Sequence, residues 1–422
     1  MDVESHEEQA EVSDNRHTAK TDVFVARSVA ANRGDLASQA GIVQGLLAFA
    51  GVGTVYVSTY YPHHFSGMLR VRPLAPPPVR GYGLNSEERD VLSTDPLVVW
   101  GGGVDMQDSG SKLKLPLLSL RLSLLTWRGK RLVLVGQGAG PIRSRWGRML
   151  LFRVARRFNR ALVREPTAGK LLIQLGGLPP DRVGWMGDGA LMLNTPDPGF
   201  GRSYLAEKGL NPAAPILGVN IRRWYHQKGG WLPTAFWRGI TGNRIPPELD
   251  QVLDHMARAV AEQSVAGQVL LVPMYRHEPE PWEDDIRLLE ELATRLPSSF
   301  RTAMLEEDVT TAQLLSILAC TTAVMGVRLH STLLAHVAGV PALHIAYDHK
   351  GREYFQMMNM TECCLDIDEV RGAGGAEILG RKVDHLLANR DALAAAVSSR
   401  VATLRADGQR ALHDMVRSMV NE

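Results

Sequence analysis

The residue types and spacings best suited to chemistry lie in one stretch, Val324 to Lys350, which reads VMGVRLHSTLLAHVAGVPALHIAYDHK. Arg328 and His330 stand two apart just past a short apolar run that ends at Gly326. In an extended turn residues i and i+2 point the same way, so a guanidinium and an imidazole can share one pocket. Arginine offers a planar fork that fits a carboxylate or a phosphate. Histidine titrates near neutrality and suits proton transfer. A second apolar run, Ala342 to Ala346, delivers Tyr347, Asp348, His349 and Lys350, and Lys350 adds a point charge for the same anion. A structural role for Arg328 and His330, satisfying a helix N-terminus or backbone carbonyls, is the competing reading.

The elements that must position these groups are set by the apolar pattern. Thr322 to Met325 reads as a strand, and Leu333, Leu334 and Val337 as one face of a helix stopped by Gly339-Val340-Pro341. Ala342 to Ala346 reads as the next strand, so the stretch is a βαβ unit with polar residues at the strand ends, where parallel sheets bind ligands. The same alternation fills the rest of the chain. Strand-like runs at Asp22 to Val29, Val55 to Val57, Pro96 to Trp100 and Arg131 to Val135 precede Asn32 and Asp35, then Gly101-Gly102-Gly103, then a glycine-rich Gly136 to Pro141 that contains Gln137. Asp35 is expected to cap the next helix, or the loop and helix N-terminus to face a ligand anion. Residues 62 to 95, rich in proline and glycine, read as a loop excursion or lid. Ser144 to Val163 reads as a basic helix whose apolar stripe is Leu151, Val154, Ala155, Phe158 and Leu162, with a solvated face or a membrane surface as its outer neighbour. Arg164 comes next at an element boundary, and Asp188 sits in a glycine-flanked turn.

Pro196 to Pro215 reads as a linker. A second alternation starts with the strand Ile216 to Ile221, which ends in Arg222-Arg223. It continues through a loop excursion at 224 to 246, a strand at Gln268 to Pro273 with Tyr275 beyond its end, and helices before and after a strand at Thr302 to Leu305. The expected fold is therefore α/β: two doubly wound Rossmann-like domains, residues 21–200 and 201–375, in a glycosyltransferase-B-like arrangement. Residues 1–20 read as a disordered tail and 376–422 as C-terminal helices that pack back. The strand ends of both halves then face one cleft, which places Asn32, Asp35, Gly102, Gly103, Gln137, Asp188, Arg222, Tyr275 and Leu329 as candidate substrate contacts.

Composition narrows the function classes. The chain has 422 residues, 45% hydrophobic and 22% charged, as in ordinary globular proteins. A net charge of only +2 argues against a whole-molecule polyanion binder, so no nucleic-acid partner is expected. Cys320, Cys363 and Cys364 cannot build a disulfide framework, which fits a reducing cytoplasm. No uncharged apolar run is long enough to span a bilayer. The glycine clusters carry neither a Walker motif nor a full dinucleotide fingerprint, and there is no Gly-x-Ser-x-Gly elbow. No metal site is expected: the run His277 to Asp285 is broken by Pro279 and Pro281 and reads as a solvated acidic loop.

The ordered set AANRGDLASQAGI, WGGG at Trp100 to Gly103, GQGAGPI at Gly136 to Ile142, VREPTAGKLLIQLG at Val163 to Gly176, GDGALML at Gly187 to Leu193 and GVRLHSTLLAHVAGVPALHIAYDHK resembles the polysaccharide pyruvyl transferase family. The resemblance runs from about Asp22 to Met360. Two positions depart from it: Glu165 stands where the family commonly has Asp, and Arg33 where it usually has a small residue. The resemblance implies transfer of a pyruvyl group from phosphoenolpyruvate, a co-substrate, to a sugar of a cell-surface glycan or glycolipid precursor, with no metal or redox cofactor. It implies donor binding by Arg164, Arg328 and Lys350 and acid/base catalysis by His330, leaving His336, His344 and His349 structural or peripheral. The implied setting is cytoplasmic, with peripheral membrane contact as an option. A nucleotide-sugar glycosyltransferase of the same fold is the first alternative, and a non-catalytic binding protein the second.

Overall fold

The computed structural model describes residues 20–29, 32–78, 82–108, 112–127, 129–223, 245–262, 267–275 and 285–421. Two wholly parallel sheets carry the chain. The first comprises β1 (Thr21–Val25), β2 (Val52–Ser58), β3 (Val71–Leu74), β4 (Leu97–Gly101), β5 (Val104–Met106), β6 (Leu132–Ala139), β7 (Arg160–Val163) and β8 (Val183–Trp185). Its order is β3-β2-β1-β4-β6-β7-β8, with β5 paired to β6. The second comprises β9 (Leu217–Asn220), β10 (Gln268–Leu271), β11 (Arg301–Met304), β12 (Ala323–Gly326), β13 (Ala342–Ala346) and β14 (Cys364–Asp366), in the order β11-β10-β9-β12-β13-β14. Strands such as LVVWG in β4 and LVLVGQGA in β6 are buried at every position, as a sheet covered on both faces requires.

The strand order reverses between β1 and β4 in one sheet and between β9 and β12 in the other, and each reversal opens a crevice at the strands' C-terminal ends. The two crevices face each other. The chain past β1, β4, β5 and β7 lines one space with the chain past β9, β10, β12 and β13. The expected two-domain α/β fold, with its C-terminal helical segment, is what the structure has.

The helix Arg33–Leu47 fills the space between the sheets. Its own residues are apolar or small on almost every side, and most of them are buried. Gly41 is required by the fit: a Cβ there would lie 2.0 Å from the Gly189 carbonyl oxygen. That approach sets the turn carrying Asp188 against Ser38. Arg33 joins the domains. Its backbone N–H donates to the Met274 carbonyl at 2.9 Å, and its guanidinium donates to the carbonyls of Pro273, Leu305 and Glu307. Asn32 forms an antiparallel bridge with Tyr275. The departure at Arg33 is thus an interdomain strut. The helix Arg390–Asn421 straps the domains from behind, where Arg405 donates to Leu191 O at 2.8 Å and Arg400 to Met357 O at 2.6 Å.

Several sequence expectations need correction. Ser144 to Val163 is not one helix: the helix Arg145–Ala155 stops and Leu162 belongs to β7, because Phe158 turns into the core. Arg164 therefore stands at the end of a strand. Within residues 62 to 95 lie a short turn Pro62–Phe65, β3 and the helix Ser86–Ser93. The expected linker holds the helix Gly199–Glu207, whose Gly201 packs against the Ser316 carbonyl. Asn32, rather than Asp35, caps its helix, accepting from Gly34 N at 3.0 Å and Asp35 N at 3.3 Å. The excursion at 224 to 244 and the stretch 276 to 284 lie outside the described residues.

Two buried histidines give the second domain an acid-sensitive core. Burial pushes His344 from its ordinary 6.5 down to about 4 and His336 to about 3, so both are neutral in the native state near pH 7. Unfolded, they bind protons at about 6.5. The unfolded state therefore holds more protons between pH 6.5 and about 4, and stability falls as pH drops through that window. Urea midpoints measured across it are expected to decline for the parent and to decline less for His344→Asn.

Candidate active site

A cavity of about 250 Å³ lies between the two crevices. The first domain lines it with Arg27, Asn32, Asp35, Lys114 and Arg164, and the second with Arg222, Arg328, Leu329, His330, Tyr347, Asp348 and Lys350. Six cationic side chains and two carboxylates line the space, and four of the cations also pair with carboxylates behind it: Arg27 and Lys114 with Asp105, Arg164 with Glu165 and Arg328 with Asp285.

His330 occupies the first turn of the helix Leu329–Val337. Its Nε2 lies 3.2 Å from Asp188 Oδ2 and 3.3 Å from Ser38 Oγ. Asp188 is buried and also accepts from Ala190 N at 2.9 Å, Arg164 Nη1 at 3.3 Å and the Ser38 hydroxyl. Burial alone would raise the Asp188 carboxyl, but the His330 imidazole, Arg164 and Ser38 hold it well below the usual carboxylate range. An ionised carboxylate accepts only, so the ring nitrogen facing Asp188, Nε2, is the donor of that contact. This is a histidine oriented by a carboxylate behind it, the arrangement a general acid/base needs.

The imidazole rests on Gly34. A Cβ built there would fall 2.3 Å from Cγ and Nδ1 of His330. The same Cβ would fall on His330 Cβ, so Gly34→Ala is expected to push the two helices apart as well as displace the ring from Asp188, lowering kcat on the order of 10²-fold and lowering Tm with it. A steady-state assay beside a melting curve checks both.

The cations are held in different ways. Arg328 starts its helix in extended conformation, and its backbone N–H donates to Asn220 Oδ1 at 2.9 Å. Its guanidinium grips Asp285 through Nε at 2.7 Å and Nη2 at 2.8 Å, and lies over the Tyr275 ring. Arg164 donates through Nε to Glu165 at 2.6 Å. Burial opposes its charge, and Glu165 and Asp188 more than offset that, keeping it cationic. Glu165 thus serves as a counterion. Arg222 donates to Tyr347 Oη at 2.6 Å.

Lys350 differs. It lies in the first turn of the helix His349–Met357, capped by Asp348, and among the described residues its ammonium has no hydrogen-bond or ion-pair partner. Burial lowers its pKa below the ordinary lysine value, with Asp348 opposing. Arg27 is bound to Asp105 at 2.6 Å and Asp35 at 2.9 Å, while its buried Nη1 has no hydrogen-bond partner among the described residues.

Of the residues named from sequence, Asn32, Asp35, Arg164, Arg222, Arg328, Leu329, His330, Tyr347, Asp348 and Lys350 reach the cavity, and so does His344, contrary to its expected structural or peripheral place. Gly102, Gly103, Gln137, Asp188 and Tyr275 stand behind it. Gln137 donates to Gly102 O at 2.8 Å and Asp105 at 2.9 Å, and Gly103 leaves room for the Arg27–Asp35 pair. Sequence reading missed Arg27, Ser38, Lys114, Asp105 and Asp285. Arg27 stands past β1 as Arg164 stands past β7, so the strand-end rule could have found it. The sequence around Asp285 reads as solvated loop, yet Asp285 is fully buried on Arg328. Among the described residues, one group could hold a metal ion, His63, His64 and Asp308; none of the three lines the cavity.

The family model described as polysaccharide pyruvyl transferase matches residues 60–349. No curated protein matches the chain in sequence. Among solved structures, Staphylococcus aureus MnaA bound to UDP aligns with TM-score 0.59 at 12% identity, covering 95% of this chain and 97% of its own. A putative UDP-N-acetylglucosamine 2-epimerase from Listeria monocytogenes aligns at TM-score 0.55 and 15% identity, covering 91% of each chain. A glycosyltransferase from Rickettsia africae gives TM-score 0.55 at 9% identity, covering 95% and 98%. At such identities these three speak to the fold alone.

Proposed function

The chain belongs to the polysaccharide pyruvyl transferase family, and on that premise we propose that it moves a pyruvyl group from phosphoenolpyruvate onto two hydroxyls of a sugar, closing a cyclic ketal. The observation that carries this is the joining, in one cavity, of the Asp188–His330 pair with Lys350, Arg164 and Arg328. Phosphoenolpyruvate bears a carboxylate and a phosphate about one reacting carbon, which a ring of cations from two domains can hold in register.

In the proposed sequence His330, carrying a second proton, protonates the donor's methylene carbon, and Asp188 sits against the imidazolium charge. The adjacent carbon becomes oxocarbenium-like and a sugar hydroxyl adds to it, returning its proton to His330. The bond from that carbon to the phosphate oxygen then breaks, and a second hydroxyl closes the ring. Two protons leave the hydroxyls; one balances the new methyl group and the other departs with phosphate. These steps need no metal or redox cofactor. The acceptor is proposed to be a cell-surface glycan or glycolipid precursor, modified in the cytoplasm; no described helix is long and apolar enough to cross a membrane.

Thermal shift tests the donor. Phosphoenolpyruvate is expected to raise Tm, and Lys350→Ala to weaken its binding by about ten- to a hundredfold, the loss of one charge-assisted contact. Stabilisation by UDP or CMP sugars without any by phosphoenolpyruvate would favour a nucleotide-sugar enzyme instead.

A further inference from the structure

We propose that the outer face formed by the helices Lys114–Leu125 and Arg145–Ala155 docks on an anionic lipid bilayer. These helices pack side by side over the outer face of the first sheet, burying Leu115, Leu118, Leu122, Leu150, Leu151 and Val154 beneath them. What they leave outside is unusual. Trp127 is 69% exposed, Leu120 53% and Trp146 47%, with Met149 and Phe152 also exposed. Most of the large apolar side chains exposed among the described residues lie on this one face.

The charge is equally one-sided. No acidic residue occurs between Asp108 and Glu165; within that span Arg121 is buried on Glu88 and Lys130 pairs with Asp95, and the exposed basic groups of this face are Arg145, Arg148, Arg153 and Arg156. On the helix Arg145–Ala155 the exposed arc alternates Trp146, Met149 and Phe152 with Arg145, Arg148 and Arg153, and the opposite arc is buried. Arginines among aromatic and aliphatic groups suit the headgroup region, where apolar bodies enter the acyl boundary and guanidinium tips stay with lipid phosphates. The arginines interleaved with apolar groups on the helix Arg145–Ala155 match an anionic lipid surface in charge as well as in depth.

The face adjoins the site. The helix Lys114–Leu125 begins with Lys114, which lines the cavity and donates to Val104 O at 2.8 Å. Docking by this face brings the cavity's rim toward the bilayer, so the acceptor sugar would be presented on a lipid carrier, a consequence that rests on the proposed pyruvyl transfer.

Flotation of the full chain with vesicles tests the docking itself. Vesicles of phosphatidylcholine mixed with phosphatidylglycerol are expected to carry the protein at low salt, and pure phosphatidylcholine to carry at least about tenfold less, because each basic residue near an anionic surface contributes appreciably. High salt should weaken the binding. Trp127→Ser with Phe152→Ser, and separately Arg145→Glu with Arg148→Glu, should each lower it about tenfold or more while leaving Tm and the phosphoenolpyruvate shift unchanged. Equal binding to both vesicles, no binding, or unaffected variants would overturn the proposal. So would light scattering that shows a dimer dissociated by the same substitutions. A missing phosphoenolpyruvate shift beside intact vesicle binding would instead strike the pyruvyl-transfer reading.

Discussion

His330→Ala should lower turnover by ~10²–10⁴-fold, the usual worth of a positioned acid or base, while the protein stays folded and still binds phosphoenolpyruvate. The imidazole is only 12% exposed and packs on Gly34, so its removal leaves a small void at the cavity wall rather than in a core. Phosphate release measured with an acceptor gives the rate, and a thermal shift with phosphoenolpyruvate reports binding. Asp188→Asn should give a smaller loss with an altered pH–rate profile, because an amide can no longer fix the proton on Nε2. A purely structural Asp188 would leave the shape of that profile unchanged.

Asp285→Ala should destabilise the second domain by about 3–5 kcal/mol, the cost of leaving one member of a buried ion pair uncompensated. Asp285 accepts from both Nε and Nη2 of Arg328, and from the backbone N–H groups of Met274 and Tyr275 at 3.0 and 3.1 Å. One carboxylate thus ties the chain beyond β10 to the chain beyond β12, at the crevice where donor anions are proposed to bind. Denaturant unfolding measures the loss. A companion variant, Arg328→Gln with Asp285→Asn, removes both charges while the amide oxygen can still accept from the Met274 and Tyr275 N–H groups, and should recover much of the stability without recovering phosphoenolpyruvate binding. Recovery of both would show that Arg328 supports the fold and nothing more.

The fold was legible because parallel strands buried on both faces are near-continuous apolar runs, and β4, β6, β12 and β13 announce themselves in that way. The strand-end rule then located Arg164, Arg222, Arg328 and Lys350 beside the cavity. Pairing was not legible. That Asp188 stands behind His330, and Asp285 behind Arg328, depends on contacts between segments far apart in sequence. Sequence spacing carries no information on such contacts. Asp285 was hidden for a further reason: an acidic run between prolines resembles solvated loop, and only the buried guanidinium of Arg328 shows why one of its carboxylates turns inward. The helix boundary at Ala155 was missed because Phe158 and Leu162 continue a helical spacing by chance while serving a turn and a strand.

The most direct test is mass spectrometry of the glycans of cells that carry the gene, lack it, or carry only the His330→Ala form. Pyruvyl transfer predicts a species heavier than its precursor by pyruvate less water in the first cells, and its absence from the other two. Identical glycans in all three, or a difference the size of a sugar residue, would contradict it.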